Sequence, residues 1–449
     1  MSKLAVFGGP PLREKQFPSQ ITVGREEKEA VCRVMDDTHL SRYRGNWIPE
    51  FIGGPNARKL EYAWAEYHSS VHAVAVNSCT SALQVSCGAV GLAPGDEVIV
   101  TPWSMTCSAT APLVWNAVPV FADVEEDYFC LDPKSVERRI TPKTRAIVVV
   151  DLFGQPYNME VINAIAKKHE LAVIEDAAQA PGSTYDGKLA GTLGDIGCFS
   201  FTQGKHLTCG EGGMITTDNL TYAKRCQLIR NHAESVISAM SDKEREHYKE
   251  VIAPNMLGFN MRMTEPQATI IREQLKKLGQ YIYTRRENAD YFNKALGDIP
   301  AIEPAGIRPQ CTHSYYVQAF KWRGELADGL HRDKFVRAVK MELNTEAGRE
   351  GEGVPIGCGY IQPLYRMPLF RRRALYGGTP YPFNLSSVDY EKCVEECPVV
   401  ERLWQDELFL WRFCSLPLTD EDRKDIVDAM HKVWEHRDEL FDLSDLVKN

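Results

Sequence analysis

The sequence predicts an α/β fold built on a mainly parallel sheet, with a smaller region behind it. Two observations carry this. Short β-branched runs alternate with helical patterns through the first half, and the style changes after Gly213. A third observation sets the chemistry: the loop Phe199-Ser-Phe-Thr-Gln-Gly-Lys205-His-Leu-Thr-Cys-Gly-Glu-Gly-Gly213 places a lysine between an apolar run and a glycine cluster.

In chain order, residues 71–76 read as a strand and 80–90 as a helix with Ala82, Leu83, Val85 and Ala89 on its apolar side. Residues 97–100 and 118–122 are further strands, separated by a helix-length segment over 105–115. A strand over 144–151, a helix over 158–169 and a strand over 171–175 continue the alternation. Residues 214–217 form a strand and 220–230 a helix. One long helix is expected over 264–296, with Pro266 in its first turn where proline is tolerated. Beyond it lie a strand over 313–321 and a terminal helix over 420–441. The Pro- and Gly-rich stretch 351–382 has little periodicity and reads as a long loop.

The 449 residues suffice for one large and one smaller domain. Apolar residues make up 44% and charged residues 25%, and 52 basic against 61 acidic residues leave a net charge of −9. That balance excludes a nucleic-acid surface; Arg371-Arg-Arg373, the densest basic cluster, reads as a solvated loop. The 13 cysteines are scattered, and the nearest pair, Cys393 and Cys397, lacks the second pair a zinc site needs, so no metal is expected. Free thiols, the lack of a leader-like N-terminus and the shortness of the apolar runs point to a cytoplasmic protein.

Lys205 can act through a Schiff base, and Asp176 closes the run Leu171-Ala-Val-Ile-Glu-Asp176 twenty-nine residues upstream. The carboxyl end of a strand is where open α/β sheets bind ligands, and an acid there can hold a pyridinium nitrogen protonated. Each residue has a plainer reading: Lys205 as a surface turn, Asp176 as a helix cap. Glycines beside a lysine argue for a constrained loop. Glu175 points to the opposite face by strand alternation and receives no role. Asn77-Ser-Cys-Thr80-Ser81 lies where a helix begins, offering free N–H groups and hydroxyls to a phosphate, though Thr80 also suits a simple N-cap. Ser200 is a further hydroxyl within reach of that phosphate.

In order and spacing, Asn77-Ser-Cys-Thr-Ser-Ala-Leu83, Glu175-Asp-Ala-Ala-Gln179, Gly194-Asp-Ile-Gly-Cys-Phe-Ser-Phe201, Lys205, Gly210-Glu-Gly-Gly213 and Asn255-Met-Leu-Gly-Phe-Asn260-Met-Arg262-Met-Thr-Glu265 resemble the DegT/DnrJ/EryC1/StrS family. These are sugar and cyclitol aminotransferases dependent on pyridoxal 5'-phosphate (PLP), with the fold-type I, aspartate aminotransferase-like architecture. The resemblance implies a mainly parallel seven-stranded sheet between helices in a large PLP-binding domain (residues 1–275, with an N-terminal arm), and a smaller α+β domain over 276–449. It implies Lys205 as the lysine that holds the cofactor and moves protons, Asp176 as partner of the ring nitrogen and Gln179 beside the phenolic oxygen. Thr80, Ser81 and Ser200 would hold the phosphate, and Asn260, with Arg262 nearby, would reach the phosphate of a second subunit in a homodimer.

The chain departs from the family pattern at several places. Cys79 stands where glycine is common before the phosphate threonine, and Asp151 where histidine is common before the Leu-Phe-Gly turn. The ring-covering aromatic is replaced by Met105, unless Trp103 takes its place. The implied reaction moves nitrogen from glutamate or glutamine to a keto sugar, nucleotide-linked or not, or to a keto cyclitol, in amino-sugar, antibiotic or cell-surface polysaccharide synthesis. Gly357–Tyr365 and His313–Tyr316, with His313, Tyr316 and Tyr365 foremost, are candidates for the acceptor pocket; the tyrosines also suit packing. A PMP-dependent sugar dehydratase is disfavoured because those relatives carry histidine at the lysine position, and a non-catalytic homologue because Lys205, Asp176, Gln179 and the hydroxyls occur together.

Overall fold

A computed structural model describes residues 3–249, 256–375 and 377–444. Asn255, first residue of the last family-like motif, lies outside the described residues, as do Met1, Ser2 and Tyr376.

Seven strands form the main sheet: β1 (His72–Val76), β2 (Glu97–Val100), β3 (Val118–Phe121), β4 (Thr144–Val150), β5 (Ala172–Asp176), β6 (Ile196–Ser200) and β7 (Gly213–Thr217). Their order is β1-β7-β6-β5-β4-β2-β3. The five strands from β6 to β3 run parallel, whereas β7 is antiparallel to both β1 and β6. Val98, Ile99, Ala146–Val149 and Ile174 have almost no exposed surface, as expected of parallel strands covered on both faces. Helices such as Cys79–Ala89 and Met159–Lys168 provide that cover; the second starts at Asn158, whose side chain accepts the N–H of Val161, and ends on Lys167 and Lys168.

A second sheet holds four antiparallel strands, β8 (Ile302–Pro304), β9 (Gln318–Trp322), β10 (Ile356–Cys358) and β11 (Leu408–Trp411), in the order β8-β9-β11-β10. Its core, around Phe320, Trp322, Phe409 and Trp411, takes in Phe292 and Ile426 from helices, and also Leu4 and Phe17 from the N-terminal arm. The arm is held there by Arg13, whose guanidinium binds Asp422 at 2.7 Å and Asp425 at 2.6 Å.

Three elements differ from expectation. The long helix of 264–296 is two helices, Glu265–Leu275 and Leu278–Ala295, broken at Lys276 and Lys277. Tertiary ties on either side explain the break: Gln274 exchanges two 2.9 Å bonds with the backbone of Thr208, and Lys277 reaches Glu26 and Glu27 of another helix. The strand expected from 313 begins at Gln318, because Ser314 and Tyr316 instead donate their N–H groups to the carbonyls of Gly154 and Phe153. The stretch read as one loop over 351–382 contains β10 and the short helix Pro368–Arg371. Tyr365 and Phe370 from this stretch, with Tyr390 just beyond it, pack around Phe121 with ring centroids 5.1–5.8 Å apart, so this segment, inserted between β10 and β11, closes the open edge of the large sheet at β3. Within Arg371–Arg373 the first two are exposed, while Arg373 holds the carbonyls of Phe383 and Ser386. No helix among the described residues is long and apolar enough to cross a membrane.

Candidate active site

The parallel strands β4, β5 and β6 end side by side, with Val150 level with Asp176 and Asp176 level with Cys198. Asp176 is the last residue of β5 and Ser200 the last of β6, so a carboxylate and a hydroxyl emerge together at the carboxyl edge of the sheet. The loop between β6 and β7 then carries Lys205. It is closed on itself by Phe201 N–H to Gly212 O (2.8 Å) and Gln203 N–H to Gly210 O (3.0 Å), and Thr208 is clamped by Gln274. Gly210 sits at φ +85°, a turn conformation unfavourable to other residues. Gly213 has a different purpose: a Cβ there would stand 2.5 Å from the carbonyl of Ser78. The glycine lets β7 lie directly against the start of the helix Cys79–Ala89.

These elements enclose a cavity of about 220 Å³ lined by Ser78, Thr80, Met105, Asp176, Gln179, Ser200 and Lys205, with Cys79, Ser104, Cys107, Ala178, Thr202 and Glu211 completing the wall. Hollows of about 360 and 270 Å³ lie elsewhere, bordered by Asp195 and Asp218 and by Arg138 and Lys392 respectively. The first has no amine, and in the second the buried acid Glu97 is already bound by the hydroxyls of Ser386 and Thr141, so the smaller cavity is the chemically equipped one.

Asp176 is buried, and its carboxyl is polar on every side: Ser108 donates to Oδ2 at 2.8 Å, and Ala178 N–H to Oδ1 at 3.2 Å. Burial pushes its proton affinity up; the Ser108 bond and the positive charge of Lys205 oppose that rise. No ion pair holds Asp176 among the described residues, so its carboxylate faces the cavity without a cationic partner in contact. Gln179 is fixed at both ends of its amide, accepting Phe153 N–H at 2.9 Å and donating to Tyr360 Oη at 3.2 Å. Phe153 adopts φ +63° to make that contact. The Lys205 ammonium lies 4.0 Å from the centre of the Tyr316 ring, a cation–π seat that orients the side chain.

The cavity therefore gathers Thr80, Met105, Asp176, Gln179, Ser200 and Lys205, with Tyr316 beneath the lysine. Other residues named from the sequence lie off it. Ser81 is buried one step behind, donating to Asn77 at 2.6 Å while its N–H bonds the Ser78 cap. Trp103 is fully buried, its indole N–H on Ile361 O and its ring edge-on to Phe153 and Tyr360; Met105 is 55% exposed at the cavity mouth. Asn260 is exposed and accepts from Arg262 at 2.7 Å. His313 is stacked on Tyr315 in a buried loop, and burial lowers its proton affinity to about 3. Tyr365 bonds Glu401 at 2.7 Å inside the insertion. Glu175 does face away from the cavity, binding the N–H groups of Gly191, Leu193 and Gly194, and it lies against the buried acid Asp151.

Sequence reasoning missed Ser108, and it named Tyr360 only within the acceptor-pocket candidate Gly357–Tyr365. Ser108 had a faint signal, since Ser104 and Ser108 share a face at four-residue spacing and their hydroxyls meet at 3.2 Å. The bond of Tyr360 to Gln179 had no sequence signal, since it spans 181 residues of chain.

The pattern of the DegT/DnrJ/EryC1/StrS aminotransferase family matches residues 41–408. The L-glutamine:2-deoxy-scyllo-inosose aminotransferase of Streptomyces kanamyceticus is 32% identical, over 97% of this chain and 98% of its own. The spore coat polysaccharide biosynthesis protein SpsC of Bacillus subtilis is 30% identical over 92% of this chain and 95% of its own. Among solved structures, an aminotransferase from Psychrobacter cryohalolentis superposes with a TM-score of 0.74 at 29% identity, covering 94% of this chain and 99% of the other. DesI, solved in the presence of its TDP-sugar product, gives 0.76 at 26% identity, covering 98% of each. The chain belongs to the DegT/DnrJ/EryC1/StrS aminotransferase family and is a PLP-dependent transaminase.

Proposed function

We propose that this member of the family transfers an amino group from glutamine or glutamate to a cyclic polyhydroxy ketone, either a keto cyclitol or a keto sugar. The observation that carries the proposal is the juxtaposition of Lys205 and Asp176 on one cavity at the carboxyl edge of the sheet. The nearly full-length likeness to an L-glutamine:2-deoxy-scyllo-inosose aminotransferase supports glutamine as donor and a cyclitol ketone as acceptor. The likeness to DesI, solved with a TDP-sugar, supports a nucleotide-linked ketone as the second reading.

The residues of the cavity fit PLP. A buried carboxylate whose proton affinity burial raises is complemented by a cationic ring nitrogen, and Asp176 has room for one. Thr80, Ser78, Ser200 and Thr202 offer hydroxyls around a helix N-terminus, the donor set a phosphate requires. Ser81 would act from behind through the Ser78 cap, Gln179 would face the ring's oxygen, and Met105 would cover the ring with Trp103 packed behind. When bound, PLP supplies a conjugated ring that takes up the electron pair left when a C–H bond beside nitrogen breaks.

Lys205 has two duties in this reading: its Nζ holds the cofactor, and once released it carries a proton between neighbouring atoms of substrate and cofactor. A lysine suits the second duty when it is partly desolvated and held, as over the Tyr316 ring. Asp176 keeps the ring nitrogen protonated. Tyr360, through Gln179, couples the C-terminal insertion to the site, so acceptor binding by that insertion would be sensed at the cofactor.

The protein would work as a cytoplasmic homodimer, in which the exposed Asn260, with Arg262, reaches the phosphate of the partner subunit. A division near residue 275 into a cofactor-binding domain and a smaller domain belongs to the same reading, with Leu4 and Phe17 lending the arm to the smaller core. His313 and Tyr365 would serve packing near the acceptor region.

The test is spectroscopic. Purified protein with PLP should absorb near the visible edge, lose that band with glutamine or glutamate, and regain it with the right ketone from a panel of keto cyclitols and nucleotide keto sugars. Borohydride reduction followed by intact-mass measurement should retain the cofactor on the wild type and not on Lys205→Ala. Protein that never yellows with PLP would sink the proposal.

A further inference from the structure

Two buried acids stand outside the mechanism above. Asp151 and Glu175 have no exposed surface, and among the described residues no cation contacts either. β4 pairs with β5 so that Val149 is level with Glu175; Asp151, two residues on, lies on the same side of the sheet, away from the cofactor cavity. There the two carboxyls meet in a hydrogen bond. Two carboxylates in contact, dry and without a counter-charge, cannot both be ionised.

The donors around the pair locate the proton. Glu175 accepts three backbone N–H groups, Gly191 at 2.6 Å on Oε1, and Leu193 at 2.8 Å and Gly194 at 3.2 Å on Oε2, so it is served as a carboxylate. Asp151 accepts one, from Tyr157 at 3.0 Å on Oδ1, and its buried Oδ2 meets no donor among the described residues. A proton on Oδ2 turns that orphan into the donor that Glu175 faces. Burial, and then the charge of Glu175, hold the proton affinity of Asp151 well above the usual carboxylate range. The other neighbours supply no counter-charge. Asp176 is an acid, and burial keeps Cys130, Cys311 and Tyr157 neutral. Arg308, beside Cys130 and Cys311, is bound to Glu125 at 2.5 Å. Asp186 near Cys311 and Asp195 near Tyr157 are further acids.

Asp151 also opens the turn that reaches the cofactor cavity. Its N–H bonds Asp176 O at 3.1 Å, its carbonyl accepts Gly154 N–H at 3.3 Å, and its carboxyl holds Tyr157. Between those ties Phe153 and Gly154 sit at φ +63° and +115°, and Phe153 presents its N–H to Gln179. A phenylalanine keeps that conformation only where surrounding contacts impose it.

We propose that Asp151 and Glu175 share a single proton, carried by Asp151, and that the closed pair is a positioning device for the Gln179 amide; the second half rests on the aminotransferase reading. The pair touches no reacting atom. It fixes the Leu152–Gly154 turn from behind, and the turn fixes Gln179 at the cavity wall. When alkali removes the proton, two charges face each other in the dry interior and the turn loses its anchor.

The test begins with infrared spectroscopy of the full-length protein. At about pH 8, roughly four units above the ordinary aspartate range, wild type should show the carbonyl stretch of a buried, protonated carboxylic acid, and Asp151→Asn should lack it. Asparagine keeps an acceptor for Tyr157 and a donor for Glu175 but cannot ionise. If that variant folds poorly, Glu175→Gln assigns the band instead, by shifting it. Urea unfolding gives a second reading. The folded chain keeps a proton that the unfolded chain releases near pH 4, so stability falls as pH rises; the folding constant of wild type relative to Asp151→Asn should drop about tenfold per pH unit above about 4. With PLP, Asp151→Ala should bind about tenfold more weakly and move the cofactor band as Gln179→Ala does. Asp151→Asn should leave the band in place and retain PLP at alkaline pH where wild type releases it. A wild type without the acid band, or parallel pH–stability curves for wild type and Asp151→Asn, would overturn the shared proton. A shared proton with an unmoved cofactor band in Asp151→Ala would overturn the positioning role. Protein that never binds PLP would remove the reading beneath the second half, and the infrared and unfolding results would still decide the first.

Discussion

Ser108 donates a 2.8 Å hydrogen bond to Oδ2 of Asp176, and both groups are buried. The bond lowers the proton affinity of a carboxyl that burial raises, so it helps keep charged the acid proposed to face the cofactor's ring nitrogen.

Ser108→Ala should therefore leave the fold in place and shift the chemistry. Loss of one hydrogen bond to a charged group is worth about 1.5–3 kcal/mol, so PLP affinity or kcat should fall about tenfold or more. The pH titration of the cofactor band should move in the variant, while a merely structural role would lower Tm and leave that titration where it was.

Gly213→Ala should disturb cofactor binding without touching a single cavity side chain. The new methyl would meet the Ser78 carbonyl at 2.5 Å and push back the start of the helix Cys79–Ala89. Weaker PLP retention on gel filtration, by about tenfold, is expected on the ordinary cost of overpacking, roughly 1–3 kcal/mol. Unchanged retention would show that the helix start tolerates the shift.

Arg230→Leu should destabilise the large domain most. Arg230 is fully buried and donates to Glu61 at 2.7 Å, to Ala75 O at 3.0 Å and to Ile52 O at 2.9 Å, with Tyr43 against its guanidinium. Its removal leaves a buried carboxylate uncompensated, a loss of about 3–5 kcal/mol measurable by urea unfolding.

Stability should also decline in mild acid. His68 stacks on Trp64 and bonds Trp64 O through Nδ1, while its Nε2 is buried without a partner among the described residues; burial lowers its proton affinity to about 4. The unfolded chain then binds a proton near pH 6.5 that the folded chain refuses until about pH 4, so stability is whole above pH 6.5 and falls as pH drops towards 4. That one group accounts for on the order of 3 kcal/mol across the window. His313, lowered to about 3, and His206 add in the same direction. His68→Phe keeps the stacking and should show a shallower dependence of Tm on pH between 4 and 6.5; an unchanged slope would assign the acid sensitivity elsewhere.

By itself, the amino-acid sequence determined the alternation of the large sheet and the members of the cavity at its carboxyl edge that lie on short, local motifs. Asp176 ends an apolar run, Lys205 follows another within a glycine-bounded loop, and Thr80 lies in the first turn of a helix, though Ser78 rather than Thr80 caps it; each is legible because strand period, helix start and turn chemistry are set by near neighbours. Only the tertiary structure decided what depends on distant pairs. Ser108 meets Asp176, Tyr360 meets Gln179 across 181 residues, and Arg349 comes beside Gly204 through contacts no local pattern encodes. The same reason explains the broken helix at Lys276 and Lys277 and the insertion folded over Phe121: in each, packing and ion pairs with remote segments outweigh the weak local preference of the chain.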